Sequence, residues 1–292
     1  MKALKGKVAV VAGATRGAGR AIAVELGAAG ATVYVTGRTT RENQSPMGRP
    51  ETIEETAELV TARGGVGIAV RVDHTVEADV QALFERVREE QDGRLDLLVN
   101  DIWGGDPLTE WGVPFWEQSM EKGLQMQKQA VHSHMLNNRY GAPLMVERNQ
   151  GLIIEITDGA TYDYRGQYFY SLAKVSAIHL AEAMAADFLG KKVAVTALAL
   201  TPGYLRSEAM LERYGVTEEN WQEGAKHDPN FLASETPYYV ARAVVALAGD
   251  PNVANKAGQA LTSWDLGEEY GLRDLDGRQP HWGRHFAELI AK

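Results

Sequence analysis

Lys7-Val8-Ala9-Val10-Val11-Ala12 runs directly into Gly13-Ala14-Thr15-Arg16-Gly17-Ala18-Gly19, and the reading of this stretch decides the fold. The apolar, β-branched run over 7–12 has the length of a buried strand. The glycine cluster after it reads as a tight turn into a helix over 18–29, closed by Gly30. Glycines at such a turn let the backbone approach a pyrophosphate closely. The first amides of the helix then offer free N–H groups and a favourable dipole to phosphate. A glycine cluster between a strand and a helix is also what a plain connection looks like, so the rest of the chain has to decide between the two.

The same alternation continues. Strands are expected over 32–36, 66–72, 95–99, 152–157, 193–200 and 258–262, and helices over 53–63, 77–91, 168–189 and 237–248. Strands that alternate with helices at this spacing build βαβ units and a parallel sheet. The strand segments are apolar at nearly every position, as required when helices cover both faces. The fold expected is α/β, a single doubly wound domain with a parallel sheet. Residues 1–267 are expected to form it, with inserted segments 102–116 and 204–236, and residues 268–292 to be a C-terminal extension packed on the same domain. The polar loop 39–50 and both insertions follow strands, so they should crowd the carboxyl edge of the sheet, where such folds bind ligands.

Composition removes other classes. The 292 residues carry 30 Lys+Arg against 39 Asp+Glu, a net charge of −9, which argues against a nucleic-acid partner. With no cysteine, disulfide scaffolds, thiolate zinc sites, iron–sulfur clusters and cysteine nucleophiles are excluded. No apolar run approaches the ~20 residues needed to span a bilayer. The lysines before the first strand mimic a signal peptide, but the apolar run is too short for one. A cytoplasmic protein without a membrane partner is expected.

An acidic residue some 20 positions after the glycine turn would bind the ribose 2′-hydroxyl of NAD, whereas an arginine accommodates the 2′-phosphate of NADP. No Asp or Glu lies between Glu25 and Glu42, while Arg16 and Arg38 can converge on a phosphate, so NADP(H) is expected. Tyr170 and Lys174 stand at i and i+4 on the helix over 168–189 and share a face. An ammonium beside a phenol stabilises the phenolate, and a Tyr tuned in this way exchanges a proton with a carbonyl oxygen near neutral pH.

With these pieces in this order, the chain resembles the short-chain dehydrogenase/reductase family over residues 7–267. The segments that carry the resemblance are VAVVAGATRGAG, GRTT, VDHT, LDLLVN, GLIIEIT, YSLAK and TPG. It implies a Rossmann-like domain, a nicotinamide cofactor and a small-molecule substrate. It assigns cofactor binding to Gly13, Thr15, Arg16, Gly17, Ala18 and Gly19 in the first turn, and to Arg38 and Thr39 after the second strand. Asp73 would meet the adenine amino group, with His74 beside it, and Asn100 would hold the turn after the fourth strand. Tyr170 would be the acid/base. Lys174 would lower its pKa and hold the nicotinamide ribose. Thr201, Pro202 and Gly203 would flank the nicotinamide, and Ser207 would contact the cofactor. The alanine-rich helix of Tyr170 would join subunits into a homodimer or homotetramer.

Three departures from the family pattern change the chemistry. The family's Asn-Asn-Ala-Gly reads Asn100-Asp101-Ile102-Trp103 here, with glycines displaced to Gly104-Gly105. Strand register puts Asp158 where the family has a catalytic Ser, although counting back from Tyr170 points to Thr157. The family's helical Asn has no clear counterpart; the count lands near 130–132. A carboxylate only accepts hydrogen bonds and repels a developing alkoxide. Asp158 must therefore be protonated, turn away, or face a cationic substrate such as an imine. Two other classes use the same residues: a dinucleotide-binding sensor or scaffold without turnover, and a lyase or isomerase in which Tyr170 works without hydride transfer.

Remaining candidates have two readings each. Trp103, Trp111, Trp116, Tyr204, Tyr214 and Trp221 either wall an apolar pocket or fasten long loops. His134 is either a relay group or a satisfied structural histidine. His281 and His285 are i, i+4 but lack a third ligand, so no metal is expected. The run 51–58 reads as a solvated acidic helix face. Trp282, Arg284 and Phe286 either reach a neighbouring subunit's site or pack at home.

Overall fold

The computed structural model describes residues 2–44 and 48–291. Residues 45–47 of the expected polar loop, residue 1 and residue 292 lie outside the described residues. The elements in chain order are β1 (Val8–Ala12), α1 (Gly17–Ala28), β2 (Thr32–Gly37), α2 (Ile53–Ala62), β3 (Val66–Arg71), α3 (Glu77–Glu90) and β4 (Leu97–Asn100). They continue with α4 (Met120–Gln127), α5 (Ser133–Glu147), β5 (Gly151–Ile156), α6 (Tyr168–Gly190), β6 (Val195–Thr201) and α7 (Glu208–Tyr214), and end with α8 (Pro237–Gly249), β7 (Ala260–Thr262), α9 (Ser263–Tyr270) and α10 (Trp282–Ile290).

The seven strands form one parallel sheet in the order β3-β2-β1-β4-β5-β6-β7. Successive strand residues point to opposite faces, and here both faces are apolar. Ala9 and Val11 of β1 join Ile22, Leu26, Val60 and Val244 on the side of α1, α2 and α8. Val8 and Val10 join Phe84, Val87, Leu144 and Phe188 on the side of α3, α5 and α6. This two-sided burial is why the strands show no polar alternation.

The order reverses beside β1: the chain steps outward to β3, then returns to place β4 on the other side. A crevice opens there, beyond the carboxyl ends of β1 and β4. Gly13 and Asp101 meet at its floor. A side chain at Gly13 would put its Cβ 2.4 Å from the Asp101 carbonyl oxygen, and φ is +88° there, so only glycine fits.

Two features correct the sequence reading. The segment between β4 and β5 holds α4 and α5, joined by a π-helical turn at Lys128–His132. No apolar stripe announced them, because α5 buries Ser133, His134, Asn137 and Asn138 and carries Pro143 inside. The acidic run is not wholly solvated either: Glu51 is buried and pairs with Arg49 at 2.8 Å, ahead of the Thr52 cap of α2.

Candidate active site

A cavity of about 510 Å³ lies at the crevice. Its lining brings together Gly13, Thr15, Arg16, Gly17, Ala18, Arg38, Thr39, Asp73, His74, Asp158, Tyr170, Lys174, Pro202, Gly203 and Ser207, candidates scattered over most of the chain. Three candidates, Gly19, Asn100 and the fully buried Thr201, stand behind the wall. Gly19 makes room for the first turn, since a Cβ there would lie 2.4 Å from the Gly13 carbonyl oxygen. Asn100 is fully buried, and its amide donates to Asn138 and to Glu155, both at 2.9 Å.

At the dinucleotide end, the Gly13 and Ala14 amides donate to the Thr36 carbonyl oxygen at 3.1 and 2.9 Å, which fixes the first turn ahead of α1. The Gly17 N–H already carries an anion, the Glu208 carboxylate at 3.0 Å. Arg38 stands 4.0 Å from Asp73. The Asp73 carboxylate accepts from the Thr75 amide and hydroxyl at 2.9 and 2.7 Å. Burial lowers the Arg16 pKa, against which the negative charges of Glu51, Asp106 and Glu208 act. The glycine cradle, the arginines and the seated carboxylate all suit a phosphate-bearing dinucleotide. His74 is committed to structure: one ring nitrogen meets the Thr36 hydroxyl at 2.8 Å and the other the Asn137 side-chain oxygen at 3.0 Å. Burial pulls its pKa down to about 4, so it is neutral at physiological pH.

At the other end, α6 presents Tyr170 and Lys174. The Tyr170 hydroxyl donates to Asp158 Oδ2 at 2.7 Å. Thr157 and Asp158 both line the cavity; the Thr157 hydroxyl donates to the Lys174 carbonyl oxygen at 2.7 Å, and Asp158 is the one that meets the Tyr170 hydroxyl. Arg165 holds the Asp158 backbone through its carbonyl oxygen. The expected lowering of the Tyr170 pKa is not found. Burial, the Asp158 charge and the hydrogen bond to it push the phenol well above its ordinary value. The Lys174 ammonium rests instead on the Trp103 ring, 4.1 Å from its centroid and 5.6 Å from that of Tyr170. Burial lowers the Lys174 pKa, while Asp158, Asp101 and Asp106 oppose the fall.

The aromatic residues divide. Trp103 and Tyr204 line the cavity, and Trp111 packs on Tyr170 at 5.2 Å while staying largely exposed. Tyr214 and Trp221 fasten the long insertion through Phe231, and Trp116 points to solvent. His134 is a satisfied core residue, bonded to Glu155 at 2.5 Å and to the Ile102 carbonyl oxygen at 3.2 Å. His281 caps α10 and His285 meets Asn230 at 3.0 Å. In α10, Trp282 forms part of the cavity wall beside Tyr204.

Sequence reasoning missed Asp101, Asp106, Gln129 and Glu208, all of which line the cavity. Asp101 takes a hydrogen bond from the Gly19 amide, and burial pushes it up to about 7. Gln129 sits on the π-helical turn with a buried side-chain oxygen that has no partner. One signal for Asp101 was present, its placement where the family has Asn; the others follow from tertiary structure.

Known proteins resemble this chain in sequence and in fold. The short chain dehydrogenase family matches residues 7–215. The chain is 36% identical over 279 residues to dehydrogenase/reductase SDR family member 1 of Mus musculus, covering 94% of this chain and 85% of that protein. It is 29% identical over 260 residues to the 7alpha-hydroxysteroid dehydrogenase of Escherichia coli strain K12, covering 89% and 93%. A crystal structure of a short chain dehydrogenase from Mycobacterium thermoresistibile superposes with a TM-score of 0.78 at 21% identity, over 96% of this chain and 92% of that one. The fold and site define a nicotinamide-type oxidoreductase scaffold. This chain belongs to the short-chain dehydrogenase/reductase family. Among the described residues, no helix is long and apolar enough to cross a membrane.

Proposed function

We propose that this protein is an NADP(H)-dependent oxidoreductase that acts on a carbonyl or imine carbon of a small, largely apolar substrate. The observation that carries this reading is the convergence of Tyr170, Lys174 and Asp158 at one end of a cavity whose other end holds the glycine turn, Arg16 and Arg38. The bound nicotinamide would supply or accept the hydride. Gly13–Gly19 would cradle the pyrophosphate, and Arg16 and Arg38 would flank the 2′-phosphate. Lys174 would hold the ribose beside Tyr170.

Tyr170 then moves the proton. Its raised pKa keeps the phenol protonated at neutral pH, the state from which a proton passes to a developing alkoxide or amine during reduction. Asp158 accepts the Tyr170 hydrogen bond at rest and yields it to the substrate heteroatom. Its negative charge disfavours an alkoxide but favours a cationic carbon–nitrogen centre, so imines suit this site as well as ketones. Trp103, Tyr204 and Trp282 exclude water around the reacting carbon. The exposed Leu172 and Leu189 of α6 suit a homodimer or homotetramer.

The test is NADPH consumption with aldehydes, ketones, enones and cyclic imines, comparing the parent with Tyr170→Phe while dinucleotide binding is checked in both. Turnover lost in the variant with binding intact supports the reading. Turnover unchanged in Tyr170→Phe overturns it. Binding without consumption of any substrate would favour a sensor, and product formed without net cofactor change a lyase or isomerase.

A further inference from the structure

We propose that Glu208 and Glu212 of α7 form an internal anion pair that competes with the dinucleotide, so that α7 sets both affinity and the preference for a 2′-phosphate. The inference rests on the dinucleotide reading of the cavity. The two residues are i and i+4 and share one face of α7. Glu208 places its carboxylate on the Gly17 amide at 3.0 Å, at the N-terminus of α1, where this turn presents its donors to a phosphate. Glu212 pairs with Arg49 at 2.5 Å, and Arg49 also holds Glu51 at 2.8 Å. Arg16, in the cavity wall, feels the charges of Glu51, Arg49 and Glu208 together.

The two contacts have different consequences. A pyrophosphate oxygen can take the Gly17 amide only if Glu208 leaves it, because two anions cannot share one donor without strong repulsion. That competition is the same whether or not the ligand carries a 2′-phosphate. Glu212 acts elsewhere. It neutralises Arg49, which would otherwise add to the positive potential around Arg16. Only a ligand with the extra phosphate feels that loss. α7 is a short element within the 204–236 insertion, and Glu208 and Glu212 tie it to the first turn and to the loop before α2. Releasing Glu208 unties α7 from the first turn, while Glu212 keeps it tied to Arg49.

The experiment titrates NADPH and NADH into the parent, Glu208→Ala, Glu208→Gln and Glu212→Ala, reading tryptophan fluorescence and the ligand-induced rise in Tm, without turnover. Glu208→Ala should tighten both dinucleotides alike, by about tenfold, the scale of one charge-assisted hydrogen bond. Glu208→Gln keeps an acceptor without the charge and should tighten both by less. Glu212→Ala should tighten NADPH alone by about two- to threefold, a small gain because its side chain is 72% exposed and the pair is screened. Unchanged or weaker binding in both Glu208 variants, with Tm retained, overturns the competition. An equal gain for NADH in Glu212→Ala overturns the selectivity. A parent that binds neither dinucleotide refutes the underlying cofactor reading instead.

Discussion

Replacing Asp158 with Asn should lower the pKa of Tyr170, although the family resemblance assigns that task to Lys174. The Tyr170 hydroxyl donates to Asp158 at 2.7 Å, so ionising the phenol would place two negative charges in contact. At a separation of ~4 Å and an effective dielectric near 20, that repulsion is about 4 kcal/mol. At 1.36 kcal/mol per unit it corresponds to roughly three pKa units. Asn removes the charge, and its amide can donate to the phenolate, which adds to the fall. Burial is the largest cause of the raised value and remains in the variant, so part of the elevation should persist. The assay is a pH titration of the tyrosine ring carbon bearing the hydroxyl, followed by NMR on protein with labelled tyrosine, with Tyr170→Phe assigning the signal. The basic limb of the pH–rate profile should move by the same amount in the same direction. A Tyr170 signal that titrates within half a unit of the parent would refute the reasoning, for it would mean that Asp158 does not control the phenol.

Three further outcomes are expected. Arg38→Asp should weaken NADPH binding by roughly 10- to 100-fold and narrow its advantage over NADH, as measured by fluorescence titration; an unchanged preference would move the selectivity to Arg16. Glu155→Ala leaves Asn100, Asn138 and His134 without their shared buried partner and should cost about 3 kcal/mol or more, a fall in Tm of roughly 6–12 °C by calorimetry. Glu235 is fully buried and pushed up to about 8 by desolvation, so the folded state holds a proton that the unfolded chain has already lost. Its contribution to stability therefore falls as pH rises from about 4.5 to about 8 and is level above that. Glu235→Gln should remove a pH-dependent loss on the order of 5 kcal/mol across that window in denaturant titrations, and parallel pH curves for parent and variant would count against it.

The sheet was legible because its signal is local: an apolar run over 7–12, a glycine turn and a helix, repeated along the chain. Tyr170 and Lys174 were legible because one helical turn separates them. The electrostatics were not, since they depend on which distant groups meet. Nothing near Tyr170 in sequence says that the Lys174 ammonium lies on Trp103, or that Glu208 reaches Gly17 from the far half of the chain. α4 and α5 escaped notice for the opposite reason. α4 buries only Gly123 and Met126, and in α5 the buried Ser133, His134, Asn137 and Asn138 interrupt the apolar periodicity that would have announced a helix. Even the ambiguity between Thr157 and Asp158 was physical, because both lie just past the end of β5, where strand alternation no longer sets side-chain direction and only the packed α6 decides which one meets the phenol.

The placement of Trp282 in the cavity wall has a consequence for biosynthesis. The cavity is bounded by residues from Gly13 to Trp282, almost the full span of the chain. A nascent polypeptide can pair β1, β2 and β3 early, since those strands are neighbours both in sequence and in the sheet. The reaction chamber gains its last wall only after α10 has left the ribosome and docked beside Tyr204. A chain that stopped before α10, even one that retained Tyr170 and Lys174, would lack this wall of the cavity.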